Sequence, residues 1–213
     1  NIPSCAWNHN LFQLLFLCVN FCRGTMNPIA APKNRSILVT GPARSGKSEW
    51  AETLAKQTGK SVIYVATATI DPTDREWVER IEQHRRRRPA DWTTVQQPID
   101  LAATILASPA SSCLLVDSLG TWVANLLEQD EDTWEKTLQQ LVDSLTVAIA
   151  DTILVAEETG WGVVPAYPAG RRFRDRLGTL VRRIGAKSDA VYLATGGYVI
   201  NLTEIGFPLP PNP

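Results

Sequence analysis

Eight consecutive residues have the types and spacing of a loop that binds nucleotide phosphates, G-x-x-x-x-G-K-S/T. The loop comprises Gly41, Pro42, Ala43, Arg44, Ser45, Gly46, Lys47 and Ser48. Its two glycines let the backbone curl so that successive N–H groups point at an anion. Lys47 can then reach the β- and γ-phosphates of a nucleoside triphosphate, and the Ser48 hydroxyl can bind Mg²⁺. The alternative is a chance turn rich in glycine and serine.

The residues on either side favour the phosphate-binding interpretation. Ile37–Val39 is a short, continuous apolar run of the kind found in a buried parallel strand. Glu49–Lys56 consists mostly of good helix formers. A helix that begins at the loop adds its positive N-terminal end to the anion site.

A carboxylate follows another apolar strand. The segment Cys113–Asp117 reads C-L-L-V-D, so Asp117 stands where a buried strand ends. From there Asp117 can hold Mg²⁺ together with Ser48, directly or through water. The alternative is a helix N-cap at the junction between a strand and a loop.

His84 and the arginines after it form a third candidate group. His84 lies at the edge of the apolar face of a helix predicted over Arg75–Arg86, and Pro89 ends that helix. Alone, His84 reads as a half-buried side chain and the arginines as a solvated helix end. Together they offer a neutral imidazole that can attack phosphorus, beside guanidinium groups suited to phosphate contacts. The arginines are Arg85, Arg86, Arg87 and Arg88.

Strands alternate with helices along the rest of the chain, which predicts an α/β fold with a mostly parallel sheet covered on both faces. Further strands are predicted over Ser61–Thr67, Thr152–Ala156 and Ala190–Ala194. Further helices are predicted over Ile99–Leu106, Thr121–Leu127, Trp134–Ala148 and Arg171–Ala186. Residues 36–205 therefore read as one domain, and residues 206–213 as an irregular, proline-rich tail.

The 213 residues carry a net charge of -1, which gives no general attraction to nucleic acid or anionic membrane. Of the four cysteines, only Cys113 falls in the predicted domain. A lone thiol inside an apolar strand is typical of a core residue in a reducing compartment, and we expect a cytoplasmic protein.

Residues 1–35 read as a leader outside the fold. Leu11–Cys22 is apolar, but no lysine or arginine precedes it, and it is short for a membrane span. The only methionine is Met26, so we expect the natural chain to start there, with residues 1–25 as upstream sequence. The alternative is a segment that directs the protein to a membrane.

Several short motifs recur in the order found in one known family. Three are specific: R-I-x-x-H, R-P-x-x-W and E-x-G-x-G-x-V-P. The matching segments are Gly41–Ser48, Val65–Thr67, Arg80–His84, Arg88–Trp92, Leu115–Asp117, Asn125–Leu127, Glu158–Pro165 and Arg171–Asp175. Over about residues 36 to 200 the chain resembles the bifunctional adenosylcobinamide kinase/adenosylcobinamide-phosphate guanylyltransferase family of cobalamin biosynthesis.

This resemblance implies a RecA-like P-loop fold and two reactions. The first phosphorylates the aminopropanol hydroxyl of the corrinoid adenosylcobinamide with a nucleoside triphosphate, ATP or GTP. The second takes GMP from GTP onto His84 and transfers it to the new phosphate, giving adenosyl-GDP-cobinamide. The resemblance also implies a homotrimer. It implies nucleotide contacts from Thr67, Ala68, Thr69, Arg85, Arg86, Arg87 and Arg88.

The chain departs from the family pattern at two places. Gln96 stands where the family often has Glu, and an uncharged amide there is expected to weaken the preference for guanine. The family's Asn-Glu pair is Glu157-Glu158 here, and the residues 166–170 differ from the usual stretch.

Two other functions fit part of the sequence. A small-molecule kinase without a transferase activity would use Lys47 and Asp117 but leave His84 idle. A RecA-like ATPase that binds nucleic acid would use the arginines on phosphates, but the chain lacks a broad basic surface and a stripe of aromatic and basic residues.

Overall fold

Seven strands form one sheet in the computed structural model, which describes residues 36–69 and 73–210. They are β1 (Ser36–Gly41), β2 (Ser61–Ala66), β3 (Thr93–Gln96), β4 (Ser112–Asp117), β5 (Asp151–Glu157), β6 (Ala190–Thr195) and β7 (Tyr198–Asn201). The strand order is β3-β2-β4-β5-β1-β6-β7, and every neighbouring pair is parallel except β6 and β7. The predicted leader, residues 1–35, lies outside the described residues.

Helices connect most of the strands. They are α1 (Lys47–Gln57), α2 (Arg75–Arg87), α3 (Leu101–Ala107), α4 (Leu119–Asn125), α5 (Glu131–Val147), α6 (Pro168–Gly185) and α7 (Leu202–Ile205). Helix α6 begins three residues before the predicted Arg171, because Pro168 suits the first turn of a helix. Among the described residues, no helix has both the length and the apolar composition needed to cross a bilayer.

Alternating side chains along the strands form two apolar cores, one on each side of the sheet. One core joins Val39, Leu115 and Val155 of the central strands to Leu54 of α1. The other joins Leu38, Val116 and Leu154 to α3, α4, α5 and α6. Cys113 is fully buried in the first core, as predicted for a core residue. The predicted α/β fold, with a mostly parallel sheet covered on both faces, is confirmed.

The sequence patterns did not predict the two outermost strands, of which β3 lacks the apolar run of a buried strand. Strand β3 reads T-T-V-Q and is largely exposed. Strand β7 returns antiparallel after a turn at Gly196 and Gly197, both with positive φ, of 58° and 81°. Two glycines between short β-prone runs are a hairpin signal, so this strand could have been predicted.

The strand register places the candidate groups at one edge of the sheet. Gly41, at the end of β1, pairs with Glu157 at the end of β5, and Asp117 pairs with Val155 two residues earlier on β5. Strand β5 lies between the strand of the phosphate-binding loop and the strand of Asp117. The carboxyl ends of parallel strands in an open α/β sheet are where ligands bind.

A buried arginine stabilises the backbone segment that follows the C-terminal end of α4. Arg176 of α6 donates to the carbonyls of Leu126, Leu127 and Gln129 at 3.3, 3.1 and 2.8 Å. Its guanidinium also lies over the ring of Trp134, 4.9 Å from the centroid. These carbonyls follow the end of α4, where a helix leaves acceptors without intrahelical donors. A cation there satisfies both the hydrogen bonds and the negative end of the helix dipole.

We expect Arg176→Met to lower the free energy of unfolding by about 2–4 kcal/mol, because the Gln129 carbonyl loses its donor and the Leu126 and Leu127 carbonyls lose a cationic one. Methionine keeps an apolar stem against Trp134, so the loss reports mainly on the polar contacts. Urea unfolding followed by circular dichroism measures the change. The control is Lys136→Met, at an exposed lysine of α5, with an expected effect within about 0.5 kcal/mol. Equal effects of the two substitutions would contradict the prediction.

Candidate functional site

The phosphate-binding loop has the backbone conformation that its glycines predict. Gly46, immediately before α1, has φ 89°, and Arg44 has φ 59°. The Lys47 ammonium donates to the Pro42 carbonyl at 3.3 Å, so it lies across the loop. Lys47 and Ser48 are buried at the start of α1. The loop and the start of α1 therefore border a pocket, which residues 44–49 line.

Gly41 is required by close packing. A Cβ atom at this position would collide with the Ala194 carbonyl oxygen of β6 and with the Ser45 hydroxyl. The turn out of β1 thus passes too close to the neighbouring strand for any side chain. Any other residue at position 41 would push the loop away from the sheet edge.

Asp117 is the acidic centre of the site. Tyr64 donates from its hydroxyl to Asp117 Oδ2 at 2.8 Å, and His84 Nδ1 lies 3.7 Å from the same oxygen. Burial alone would raise the pKa of Asp117, but the nearby His84, the hydrogen bond from Tyr64 and the nearby Ser48 hydroxyl lower it below its ordinary value. Asp117 is therefore an anion at neutral pH, as predicted for a metal-binding carboxylate.

The contact between Ser48 and Asp117 fits a Mg²⁺ site of the nucleotide-dependent kind. One hydroxyl and one carboxylate lie together beside the phosphate-binding loop. Within residues 36–69 and 73–210, no group of three or more His, Cys, Asp or Glu side chains could hold a metal ion by itself. Mg²⁺ bound with a nucleotide needs no such group, because phosphates and water supply most of its ligands.

His84 lies between two pockets. The inner pocket is lined by Lys47, Ser48, Tyr64, His84, Asp117 and Glu157, among others. The outer pocket, of about 440 Å³, is lined by residues 44–49 of the loop and α1, and by Glu76, Glu79, Gln83, His84 and Arg87 of α2. Lys47, Ser48 and His84 belong to both. The predicted nucleophile is thus next to the predicted phosphate site.

The four arginines after His84 have different environments. Arg87 binds the buried Glu52 of α1 through Nε and Nη2, at 3.1 and 2.8 Å, and Glu49 through Nη1 at 2.6 Å. Arg85 and Arg86 are exposed and lie 3.8 and 3.3 Å from Glu82. Only Arg88 reaches the inner pocket. The structure therefore gives Arg87 the role of fastening α2 to α1.

Arg88 packs flat on an aromatic ring. Its guanidinium carbon lies 3.7 Å from the centroid of Tyr64. Its Nε donates to the His84 carbonyl at 3.1 Å, and Nη1 donates to Thr94 of β3 at 3.0 Å. Stacking and two directed hydrogen bonds fix this guanidinium more firmly than a lysine could be fixed.

The segment after β2 has mainly internal contacts. The Thr67 side chain is fully buried; its hydroxyl donates to the Ser118 carbonyl at 2.7 Å and contacts the Thr121 hydroxyl. In this conformation it has no surface that a nucleotide could contact. Ala68 lines the inner pocket, and Thr69 donates to Asn125 at 3.1 Å. Gln96 is exposed, and its amide donates to the Ala68 carbonyl.

Glu157 is a site residue that the sequence analysis did not select. It ends β5, lines the inner pocket, and accepts a hydrogen bond from the Gly120 backbone N–H at 2.9 Å. A Cβ atom at position 120 would collide with this carboxylate, so Gly120 leaves room for it. Burial raises the pKa of Glu157, while Ser118 and Lys47 partly oppose that shift. An acidic residue at the end of an apolar strand, as at Asp117, was the available signal.

Comparison with known proteins gives one consistent result. Residues 37–202 match the family model described as cobinamide kinase / cobinamide phosphate guanyltransferase. The bifunctional adenosylcobalamin biosynthesis protein CobP of Pseudomonas aeruginosa is 41% identical over 162 residues, which cover 75% of this chain and 92% of that protein. The corresponding CobU protein of Escherichia coli is 35% identical over 181 residues, covering 78% and 98%.

A solved structure supports the fold alone. The protein of project PH0250 from Pyrococcus horikoshii superposes with a TM-score of 0.51 at 5% sequence identity, covering 79% of this chain and 85% of that one. At that identity the likeness concerns the arrangement of strands and helices and carries nothing about activity.

We expect Glu157→Gln to stabilise the protein at neutral pH. Because the folded pKa of Glu157 is raised, the folded protein holds this proton more tightly than the unfolded chain, whose glutamates titrate near pH ~4.3. Stability is then lost as the pH rises from the unfolded pKa through the folded pKa. Glutamine removes that loss and still offers an oxygen to the Gly120 N–H.

Urea unfolding at pH values between about 4 and 8 tests this prediction. The variant is expected to exceed the parent in free energy of unfolding at the upper end of that range and to match it near the lower end. The control is Glu128→Gln, at an exposed glutamate, for which no such divergence is expected. Parallel pH profiles for Glu157→Gln and the parent would show that folding does not raise the pKa of Glu157.

Proposed function

Because the chain belongs to the cobinamide kinase / cobinamide phosphate guanyltransferase family, we propose that both reactions use the sheet edge described above. In the first, a nucleoside triphosphate phosphorylates the aminopropanol hydroxyl of adenosylcobinamide. In the second, GMP passes from GTP to His84 and then to the new phosphate, giving adenosyl-GDP-cobinamide. The observation that carries this proposal is the position of His84, which borders both pockets together with Lys47 and Ser48.

The kinase step requires positioning and charge stabilisation more than covalent help from the protein. The hydroxyl oxygen forms a bond to the γ-phosphorus, the bond from that phosphorus to the β-phosphate oxygen breaks, and the hydroxyl proton passes to solvent water. Backbone N–H groups of residues 41–48 and the Lys47 ammonium stabilise the charge on the phosphates. We propose Ser48 and Asp117 as the residues that hold Mg²⁺, which neutralises part of the triphosphate charge when bound.

The guanylyl step uses His84 as a nucleophile. An imidazole nitrogen forms a bond to the α-phosphorus of GTP, and the bond to the pyrophosphate leaving group breaks. An oxygen of the corrinoid phosphate then attacks the same phosphorus, and the P–N bond breaks to restore neutral His84. Arg88, which lies beside the ring of Tyr64 in the inner pocket, is the arginine placed to stabilise charge on the phosphates.

Four finer proposals complete this function, and all but the place of action rest on the family resemblance. The substrates are ATP or GTP in the first step, GTP in the second, and a corrinoid as acceptor. The active form is a homotrimer, and the site of action is the cytoplasm. The uncharged Gln96, at the end of β3 beside Ala68, contacts the guanine base.

The two-step proposal predicts where label from GTP remains. Label in the α-phosphate should stay on the parent protein without any corrinoid, in a bond that is acid-labile and alkali-stable, as for a phosphoramidate. Label in the γ-phosphate should not be retained. His84→Ala should lose the α-label and the transferase activity but keep part of the kinase activity.

Lys47→Ala should lower both activities by roughly 10²- to 10³-fold, because each step needs the triphosphate charge stabilised. Lys136→Ala, at an exposed lysine of α5, is the matched control and should match the parent. Stoichiometric α-label on His84→Ala would exclude His84 as the nucleophile. Normal kinase turnover in Lys47→Ala would place the phosphate site elsewhere.

Gln96→Glu is expected to raise the preference for GTP over ATP in the labelling reaction by about fivefold to tenfold. A carboxylate accepts stronger hydrogen bonds from guanine than an amide oxygen does. Glutamate also cannot donate to the Ala68 carbonyl, so the new side chain is released toward the ligand. The measurement is the ratio of initial labelling rates with the two nucleotides. The control is Gln57→Glu, at an exposed glutamine at the end of α1. An unchanged ratio of GTP to ATP labelling rates in Gln96→Glu would mean that position 96 does not contact the base.

A further inference from the structure

Four side chains close a ring that joins three elements of the fold. Tyr64 of β2 donates to Asp117 of β4 at 2.8 Å, and Asp117 Oδ2 lies 3.7 Å from Nδ1 of His84 on α2. The His84 carbonyl accepts from Arg88 Nε at 3.1 Å, and the Arg88 guanidinium stacks on Tyr64 at 3.7 Å. Each member is therefore held by two others, and His84 is held through both its backbone and its ring.

This set of four contacts gives the two nitrogens of the His84 imidazole different surroundings. A neutral imidazole carries its proton on one nitrogen and a lone pair on the other, and the nitrogen that faces an acceptor keeps the proton. Asp117 is such an acceptor and faces Nδ1. At 3.7 Å the two atoms are within reach of a charge interaction, and a small movement would bring them into hydrogen-bonding distance. The lone pair is then on Nε2.

Tyr64 determines which way the Asp117 carboxylate faces. Its hydroxyl donates to Oδ2, the same oxygen that faces His84, and so holds that oxygen between β2 and α2. The Tyr64 hydroxyl is the donor of this pair, because an ionised carboxylate can only accept a hydrogen bond. Arg88 covers the ring face and prevents the tyrosine from swinging away.

We propose that Tyr64 is a positioning residue for the guanylyl step, acting through Asp117 to present His84 as its Nδ1–H tautomer with Nε2 free to attack. This inference rests on the proposed role of His84 as nucleophile. Nε2 forms the bond to the α-phosphorus as the bond to pyrophosphate breaks. The Nδ1 proton stays in place, and the positive charge that develops on the ring is stabilised by Asp117. When the corrinoid phosphate attacks, the P–N bond breaks and the same neutral tautomer returns.

Tyr64→Phe is the informative substitution, because it removes one hydroxyl and keeps the ring on which Arg88 stacks. Tyr192→Phe is the matched control, since Tyr192 is a buried tyrosine of β6 in the same apolar core and outside both pockets. Three quantities are measured on the full chain: the tautomer of His84 by ¹⁵N NMR of histidine-labelled protein, the rate of labelling from α-labelled GTP, and kinase turnover. A His84→Gln sample assigns the signal, because His9 is the other histidine.

The expected result has three parts. The parent and Tyr192→Phe show the Nδ1–H tautomer, while Tyr64→Phe shows a mixture of both tautomers. Labelling in Tyr64→Phe slows by about tenfold, as for loss of a hydrogen bond to a charged group, and it falls several-fold more than kinase turnover does. Because the kinase step does not use the imidazole, the split between the activities separates positioning from general damage.

Two outcomes would overturn the inference. One is an unchanged tautomer and labelling rate in Tyr64→Phe. The other is an equal fall of both activities, which would mean that the hydroxyl serves Asp117 in general and not the orientation of His84. If the parent takes no α-label at all, the proposed function fails, and the tautomer measurement still decides whether Tyr64 orients the ring.

Discussion

One carboxylate must remain ionised at the buried end of a strand, and the arrangement around it follows from that requirement. Asp117 ends β4 among apolar strands, where burial penalises its charge. The hydrogen bond from Tyr64 and the nearby His84 and Ser48 side chains more than offset the penalty. Each partner comes from a different element, α2, β2 and α1, so the charge brings the nucleophile, the sheet and the phosphate-binding loop together.

The arginines after His84 have two different roles: one stabilises the packing of helices, and another lies at the inner pocket. Arg87 is occupied by Glu49 and Glu52, and these contacts attach the end of α2 to the helix that follows the phosphate-binding loop. Arg88 is occupied by Tyr64 and Thr94, and it stays at the edge of the inner pocket. This ion pair holds the last turn of α2 in place and so fixes the position from which His84 reaches the site. The position of the nucleophile therefore depends on residues that make no proposed contact with phosphorus.

The pair Gly120 and Glu157 illustrates a different constraint. A carboxylate lies against the backbone of α4 only because residue 120 has no side chain. Its buried position raises its pKa and opposes stability at neutral pH, in contrast to Asp117, whose hydrogen bonds lower its pKa. Two acidic residues at the ends of neighbouring strands thus differ in their electrostatic state because their hydrogen-bond partners differ.

The amino-acid sequence by itself determined the features that local chain geometry encodes. The spacing of Gly41, Gly46 and Lys47 specified the phosphate-binding loop, and apolar runs specified β1, β4 and β5. Only the tertiary structure decided which side chains meet across the fold. Tyr64 and Asp117 are 53 residues apart, and Arg87 and Glu52 are 35 apart, so no local pattern could pair them. Strand β3 could not be predicted for a related reason. It is a polar edge strand that forms because β2 offers it hydrogen bonds, and the residues of β3 themselves carry no pattern that indicates this partner.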